Sequence, residues 1–403
     1  MPACCRGIFF ALLLAAFCGP ASGAGPGAAA AGTEVWLVSY GPGEVYWQRF
    51  GHNAIWIRDP QLGLDHVFNF GFFDFAQEDF FLRFLQGRML YFSAAQSARD
   101  EFAAYIDENR SIRAQRLDLR PEQAAGLAAY LLHEVRPENR DYLYDYYGNN
   151  CSTRVRDALD QALGGSLSRR YSGIPAAQSW RDHTRRLTAA DFWLYLGLES
   201  ALGAPVDAPI DRWDEMFIPE ILATAVAGLN VESAAGPAPL VVEDVVLYES
   251  TLETPAAAPR AWWPRYLLGS LALAGLAWLL ARRAPLWVGA LLARAWLALA
   301  GLAGLTLLFF WWGTDHSVTR LNLNLLVFCP LWLWPAFFRS AAGRTLPLVA
   351  GLSALALVMP FLPPAQYTFD VLAAFVPLNL AAAMTIDAQA RDRRRGARPR
   401  RRS

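Results

Sequence analysis

The chain has no lysine: all 36 basic residues are arginine, and 36 acidic residues balance them to a formal charge of zero. That balance excludes a globally basic, polyanion-binding surface, so no nucleic-acid partner is expected. Cysteine is almost as scarce. Of the five, Cys4, Cys5 and Cys18 fall in an N-terminal stretch, Cys329 lies inside an apolar run, and Cys151 stands alone in the region between. No disulfide can be built there, and Cys and His lack zinc-type spacing, so neither a metal nor another cofactor is expected. A solitary thiol in an oxidising compartment is a liability unless it is used, which directs attention to Cys151.

Apolar residues, by contrast, make up 54% of the chain, and the excess lies after residue 260. Arg6, the apolar Ile8 to Phe17 and small residues through Gly32 read as a secretory signal, while Phe17 before Cys18 is a poor fit to a lipoprotein cleavage site. The expected division is a signal peptide over 1–24, a periplasmic domain over 25–262, a transmembrane helical domain over 263–390 and a basic cytoplasmic tail over 391–403. Five apolar spans are expected, at about Tyr266 to Ala281, Leu286 to Trp312, Leu321 to Phe338, Leu346 to Leu362 and Tyr367 to Ile386. Arg282-Arg283, Arg339 with Arg344, and Arg391 to Arg402 alternate between them, which predicts a multi-pass inner-membrane protein with a cytoplasmic C-terminus. Arg294, inside the second span, is expected to snorkel or to pair.

Between signal and membrane the pattern is α+β: an antiparallel sheet with a Cys-bearing helix. Strands are expected over Glu34 to Ser39, Asn53 to Arg58, Asp65 to Phe70, Ser111 to Leu119 and Leu240 to Tyr248, and helices over Ala98 to Asp107 and from Arg120 to about Val135. Further helical and connecting structure is expected over Gly173 to Leu196 and Ile210 to Leu229. The aromatic Phe72 to Phe92 is either core or a surface for an acyl chain or the bilayer.

Cys151 precedes Val155, Leu159 and Leu163 at helical spacing, ended by Gly164-Gly165, with Asn149 and Asn150 as caps. A thiol at a helix N-terminus is expected to favour the thiolate, because unpaired N–H groups and the dipole oppose its neutral form. His52 opens the second strand as the expected base. Strand alternation places Asn69 toward it as orienter and His66 on the other face, although His66 remains an alternative third member. The Cys151 N–H and an unidentified neighbour are the expected oxyanion donors. Arg154 is a candidate for holding a phosphate or carboxylate, and His316, Arg320, Asn322 and Asn324 form a polar cluster for a lipid headgroup. His133 and His183 read as solvated.

Gly41-Pro42-Gly43, Phe50-Gly51-His52, Phe68 to Gly71 with Phe73-Asp74-Phe75, and Asn149 to Arg154 resemble the periplasmic domain of Lnb, a bacterial lipoprotein N-acyltransferase formerly called a domain of unknown function. The order of His strand, polar residue and Asn-Cys helix start is also similar to the permuted NlpC/P60 arrangement of lecithin:retinol acyltransferase-like enzymes. There the third residue is commonly His, and Asn69 fills the matching place here. The resemblance implies a thioester relay from a membrane phospholipid to the N-terminal amine of a diacylated lipoprotein. The competing readings are an NlpC/P60-like cysteine hydrolase anchored in the membrane, acting on phospholipid or cell wall, and a non-catalytic scaffold or transporter.

Overall fold

A computed structural model describes residues 32–396 apart from positions 62, 234, 235, 284 and 342. The signal sequence, with Cys4, Cys5 and Cys18, and the part of the terminal arginine cluster beyond Gly396 lie outside the described residues. In chain order, strands β1 (Glu34–Tyr40), β2 (His52–Asp59) and β3 (Leu64–Phe72) form a meander. Helix α1 (Phe80–Gln86), strand β4 (Leu90–Ser97), helix α2 (Ala98–Asp107), strand β5 (Ile112–Leu117) and helix α3 (Pro121–Glu134) follow. Strand β6 (Asp141–Leu143) leads into helix α4 (Cys151–Ala162). The helices α5 (Ser166–Tyr171), α6 (Trp180–Thr188), α7 (Phe192–Ala201), α8 (Arg212–Glu215) and α9 (Pro219–Ala227) precede the hairpin β7 (Asn230–Ser233) and β8 (Gly236–Pro239), and β9 (Val241–Tyr248) closes the domain.

Seven strands make one antiparallel sheet in the order β6-β4-β3-β2-β1-β5-β9. Alternation sorts its central residues onto two faces. On one face Leu37, Ile55, Ile57, Phe68 and Phe70 pack with Val155 and Leu159 of α4 and Leu127 and Leu131 of α3. On the other, Tyr40, Ala54 and Val67 pack against Ala98, with Phe102 and Tyr105 of α2. The expected strands and the two early helices are present. The aromatic segment conceals two elements that its composition did not separate, α1 and the N-terminal part of β4. The hairpin of β7 and β8 was also unexpected.

The C-terminal part is helical: α10 (Trp263–Arg283), α11 (Leu286–Trp312), α12 (Leu333–Phe337), α13 (Thr345–Val358) and α14 (Phe369–Gly396). Among the described residues, three helices are long and apolar enough to cross a membrane, with apolar spans at Trp263–Ala281, Trp287–Trp312 and Phe369–Arg391. The expected third and fourth spans are instead shorter apolar helical stretches, Leu323–Phe337 and Thr345–Phe361. The third is broken ahead of Pro330, which cannot supply an N–H group to a continuous helix. Arg294 pairs rather than snorkels: its Nη1 donates to the carbonyls of Pro335 at 2.6 Å and Ala336 at 3.2 Å, groups that end this interrupted segment.

A buried ionic joint fastens the two parts. Arg181 of α6, wholly buried, donates to Asp207 at 2.8 Å and to Glu199 of α7 at 3.3 Å. Nearby, Asp370 at the start of α14 accepts from Tyr195 at 2.5 Å and from Arg185 at 3.4 Å. Replacing Arg181 by Ala strands two carboxylates in a low-dielectric site, so Arg181→Ala is expected to destabilise the protein by about 3–5 kcal/mol, read as a lowered denaturation midpoint in detergent. An unchanged midpoint would show that the joint carries no stability.

Candidate active site

The thiol is placed by the first turn of α4. Asn150 caps that turn, accepting from the Thr153 N–H at 2.9 Å, while Thr153 Oγ1 accepts from the Asn150 N–H at 2.8 Å. The Asn150 amide donates to the carbonyls of Tyr146 at 3.1 Å and Phe217 at 3.0 Å, so the cap is tied into the fold from both sides. Asn149 donates to the Leu143 carbonyl at 2.7 Å, so both asparagines are structural. One residue on, Ser152 donates to Met216 O at 2.6 Å and lies 2.8 Å from Asn53 Oδ1, and Asn53 Nδ2 donates to Ser39 at 2.7 Å. These contacts fasten the start of α4 to β1 and β2.

The β2–β3 ladder extends only as far as Ala54 opposite Asn69, and the register between β3 and β4 shifts between Asn69 and Phe72. Gly71, at φ +97°, makes the bend. A Cβ there would meet Cys151 Cβ at 3.4 Å, so a side chain would press on the residue that carries the thiol. The sulfur faces the main-chain N–H of Asn53, the residue after His52, together with the N–H groups of Ser152 and Cys151 itself. The thiol therefore enters at the end of the ladder, against the residue that follows His52.

His52 stands opposite Tyr40 in the β1–β2 register. Its Nε2 donates to Asn69 Oδ1 at 2.8 Å, and Asn69 Nδ2 donates to Glu101 Oε2 at 2.6 Å. The other oxygen of Glu101 accepts from the Tyr40 hydroxyl at 2.5 Å. The chain of bonds fixes the orientations: an amide that gives its N–H₂ to a carboxylate turns its oxygen to the imidazole, which leaves Nδ1 as the free basic nitrogen in the neutral ring. Tyr40 and Tyr105 stack beside the ring, at 5.8 Å and 6.3 Å between centroids.

Burial governs the protonation states. It lowers His52 to about 4, partly opposed by the bond to Asn69 and aided by the Arg110 cation. It raises Glu101 to about 7 against the hydrogen bonds from Tyr40 and Asn69. It also raises the Cys151 thiol above its ordinary value, although the N–H groups of Asn53, Ser152 and Cys151 and the Arg110 charge pull the other way. The depressed pKa expected from the helix terminus is thus overturned, because desolvating the sulfur outweighs the dipole. The resting pair at neutral pH is a neutral thiol and a neutral imidazole.

Sequence reasoning missed Glu101, Tyr40, Tyr105 and Arg110. Glu101 is buried on α2 among otherwise ordinary helical residues, and only the sheet brings it to Asn69. Arg110 donates from Nε to the Gly41 carbonyl at 2.9 Å and lies 4.6 Å from the Tyr105 centroid, with no hydrogen bond to its buried Nη2.

The remaining expected site residues are engaged elsewhere. Arg154 bonds Glu134 at 3.0 Å and stacks on Tyr142 at 4.1 Å, so it is committed to the fold rather than free for an anion. Asn322 donates to the carbonyls of Ser200 and Ala201, and Asn324 to those of Glu199 and Ser200, which caps the C-terminus of α7. His316 is buried, with Nε2 2.9 Å from the Phe84 carbonyl, whereas the Arg320 side chain is exposed. His66 is half-buried at the far end of β3, opposite Ile57. His183 is not solvated but buried, 2.9 Å from Glu215, while His133 stays near the surface beside Asn139. Among the described residues no cluster of His, Cys, Asp or Glu could hold a metal ion.

Fold and site together define an α+β domain in which a half-buried thiol and imidazole stand beside a buried amide, bonded to a helical membrane domain. Two family models match the chain, the Lnb N-terminal periplasmic domain over residues 29–186 and the Lnb transmembrane domain over residues 264–390. The chain belongs to the Lnb family of lipoprotein N-acyltransferases, and is an inner-membrane protein with a periplasmic N-terminal part. No curated protein and no solved structure is significantly similar to it.

The half-buried, neutral thiol makes a kinetic prediction. The rate of Cys151 alkylation by a small neutral reagent, followed in a Cys329→Ser background, is expected to be still climbing at pH 9, the ordinary thiol value, because the folded pKa lies above it. A plateau reached below neutrality would identify a thiolate and overturn this description. Replacing the orienting carboxylate is the complementary test. Glu101→Gln is expected to lower activity above pH 7, where the native carboxylate is ionised, and to remove any inflection in the pH–rate profile near 7.

Proposed function

We propose that Cys151 takes a fatty acyl chain from a membrane phospholipid as a thioester and passes it to the N-terminal amine of a diacylated lipoprotein. The observation that carries this reading is the bonded series His52, Asn69 and Glu101 at the end of β2, where the sulfur of the capped α4 also lies. Family membership supports the acyl transfer, and both the reaction and the residue roles are our assignment.

In the first half-reaction the thiol proton moves to His52 Nδ1 as the sulfur attacks the ester carbonyl. Because both groups are neutral at rest, proton transfer and attack proceed together, and charge develops only in the transition state. The imidazolium is then held through Nε2–H by Asn69, whose amide is held by Glu101. Main-chain N–H groups around Cys151 receive the tetrahedral oxygen. The C–O bond breaks, the leaving alkoxide takes the proton from His52, and a lysolipid departs. In the second half-reaction the amine attacks the thioester, His52 takes its proton, the C–S bond breaks, and the thiol is restored as the amide forms.

The same reading retains the expected topology, with residues 263–390 in the membrane and the arginine tail in the cytoplasm. It assigns the polar loop of His316, Asn322 and Asn324 to joining the domains rather than to a headgroup.

Cys151→Ala is expected to abolish lipoprotein N-acylation in a complementing strain while leaving the protein inserted. His52→Ala should reduce the rate by about 10²–10⁴-fold, the usual contribution of a general base. Intact-protein mass spectrometry with phospholipid and no acceptor should show a fatty-acyl mass on Cys151 that hydroxylamine removes. Triacylated lipoprotein in the Cys151→Ala strain would sink the proposal, and release of free fatty acid with no N-acyl product would favour the hydrolase.

A further inference from the structure

Helix α1 has the sequence FFLRFLQ, and four of its apolar side chains face outward: Phe81 is 73% exposed, Leu82 49%, Phe84 46% and Leu85 42%. Phe75, in the turn before it, and Trp47, which meets Phe75 at 5.9 Å, extend the exposed apolar surface. One turn of amphipathic burial cannot account for this pattern, because apolar residues recur on nearly every side of a seven-residue helix. A contiguous exposed patch of this kind marks a contact surface.

What lies against it follows from where α1 is fastened. Its C-terminal end is bonded to the segment that follows α11: the Asp315 N–H donates to the Gln86 carbonyl at 2.7 Å, and Arg88 pairs with Asp315 at 2.6 Å. His316 lies 2.9 Å from the Phe84 carbonyl, and a Cβ at Gly87 would come within 2.7 Å of His316 N, so the backbones touch. The apolar span of α11 ends at Trp312, which is 79% exposed and only three residues before Asp315. Tryptophan at the end of a membrane span belongs at the level of the lipid headgroups. Helix α1 is therefore bonded to the chain within a few residues of the bilayer boundary.

From α1 an aromatic series runs back toward the thiol. Phe80 packs on Phe73 at 6.0 Å, Phe73 on Tyr91 at 5.2 Å, and Tyr91 stacks on Tyr144 at 4.3 Å. Tyr144 is half-buried, seven residues before Cys151, and Phe73 follows by two residues Gly71, whose Cβ position lies 3.4 Å from Cys151 Cβ.

We infer that α1 with Phe75 is seated in the periplasmic leaflet of the bilayer, and that the aromatic series from Phe80 to Tyr144 is the apolar surface along which a lipid chain passes between the leaflet and Cys151. The membrane contact stands on the exposed side chains and their attachment to α11; the passage of a chain rests on the proposed acyl transfer. Lipid is the occupant because the patch continues the apolar surface of a membrane helix, and an aliphatic or aromatic side chain in the upper acyl region escapes water without needing a shaped partner.

The experiment uses the full-length protein in phospholipid nanodiscs. The native cysteines are replaced, a nitroxide is attached to Phe81→Cys, Leu85→Cys or, as an exposed reference on α3, Glu122→Cys, and collision with oxygen and with a polar nickel chelate is measured by electron paramagnetic resonance. Positions 81 and 85 are expected to show a several-fold higher oxygen-to-nickel ratio than position 122. Ratios equal to the reference at both positions would place α1 in water and overturn the inference, whatever the activity. In the otherwise native chain, Phe81→Asp with Leu85→Asp is expected to slow acyl loading of Cys151 from bilayer phospholipid several-fold, while leaving its alkylation by a small soluble reagent unchanged. Loading at the native rate would overturn the passage of lipid along this surface. Lipid contact at 81 and 85 without any acyl loading in the native chain would uphold the seating of α1 and instead remove the acyl-transfer reading.

Discussion

The constraint on which the site depends is the insertion of the α4 N-terminus into the opening where the β2–β3 ladder stops. A sheet normally separates its two faces, and here α4 packs on one face while Tyr40, Tyr105 and Glu101 lie on the other. The thiol reaches the imidazole's neighbourhood only because Gly71 bends β3 away, so that the β2–β3 ladder stops at Ala54 and the Asn53 N–H faces the sulfur. Asn150 and Ser152 hold the helix end there by bonds to Tyr146, Phe217 and Met216. The position of the sulfur is set by this network rather than by any one contact, since loss of a single cap costs about 1 kcal/mol.

Burial then decides the electrostatics. A helix terminus stabilises a thiolate by its N–H groups, but a sulfur removed from water loses more in hydration than those groups return. His52 is driven toward its neutral form by the same cause, and Glu101 is lifted to about 7. The thiol and the imidazole are therefore kept uncharged at rest by their surroundings. A neutral thiol is also slow to oxidise, which suits a cysteine of the periplasmic part with no other cysteine among its described residues to pair with.

The periplasmic domain is also held in place against the helical one. Two sets of contacts provide this. Asn322 and Asn324 satisfy the last carbonyls of α7, and Arg181 and Arg185 share Glu199, Asp207 and Asp370 between the periplasmic helices and the start of α14. Both are buried and polar, so each partner depends on the others for hydrogen bonds, and sliding one domain over the other would strand several charges at once.

Much of the architecture was legible along the chain. The single thiol at a capped helix start, His52 at a strand start, Asn69 on the face that reaches it, and the change from an α+β pattern to apolar spans all follow from local periodicity, turn chemistry and counting. Those signals are carried by neighbours in sequence, so they survive without a structure. Glu101, Tyr40 and Arg110 were not legible, because their relation to His52 is made by pairing strands and packing α2 across the sheet. Arg154, Asn322 and Asn324 looked available for a substrate for the same reason: whether a polar side chain is free depends on partners far along the chain. The sequence by itself determined which groups could do thiol chemistry and that they would be tied to a membrane; only the tertiary structure decided which stand together and in what charge state, because proximity and desolvation are properties of the packed molecule.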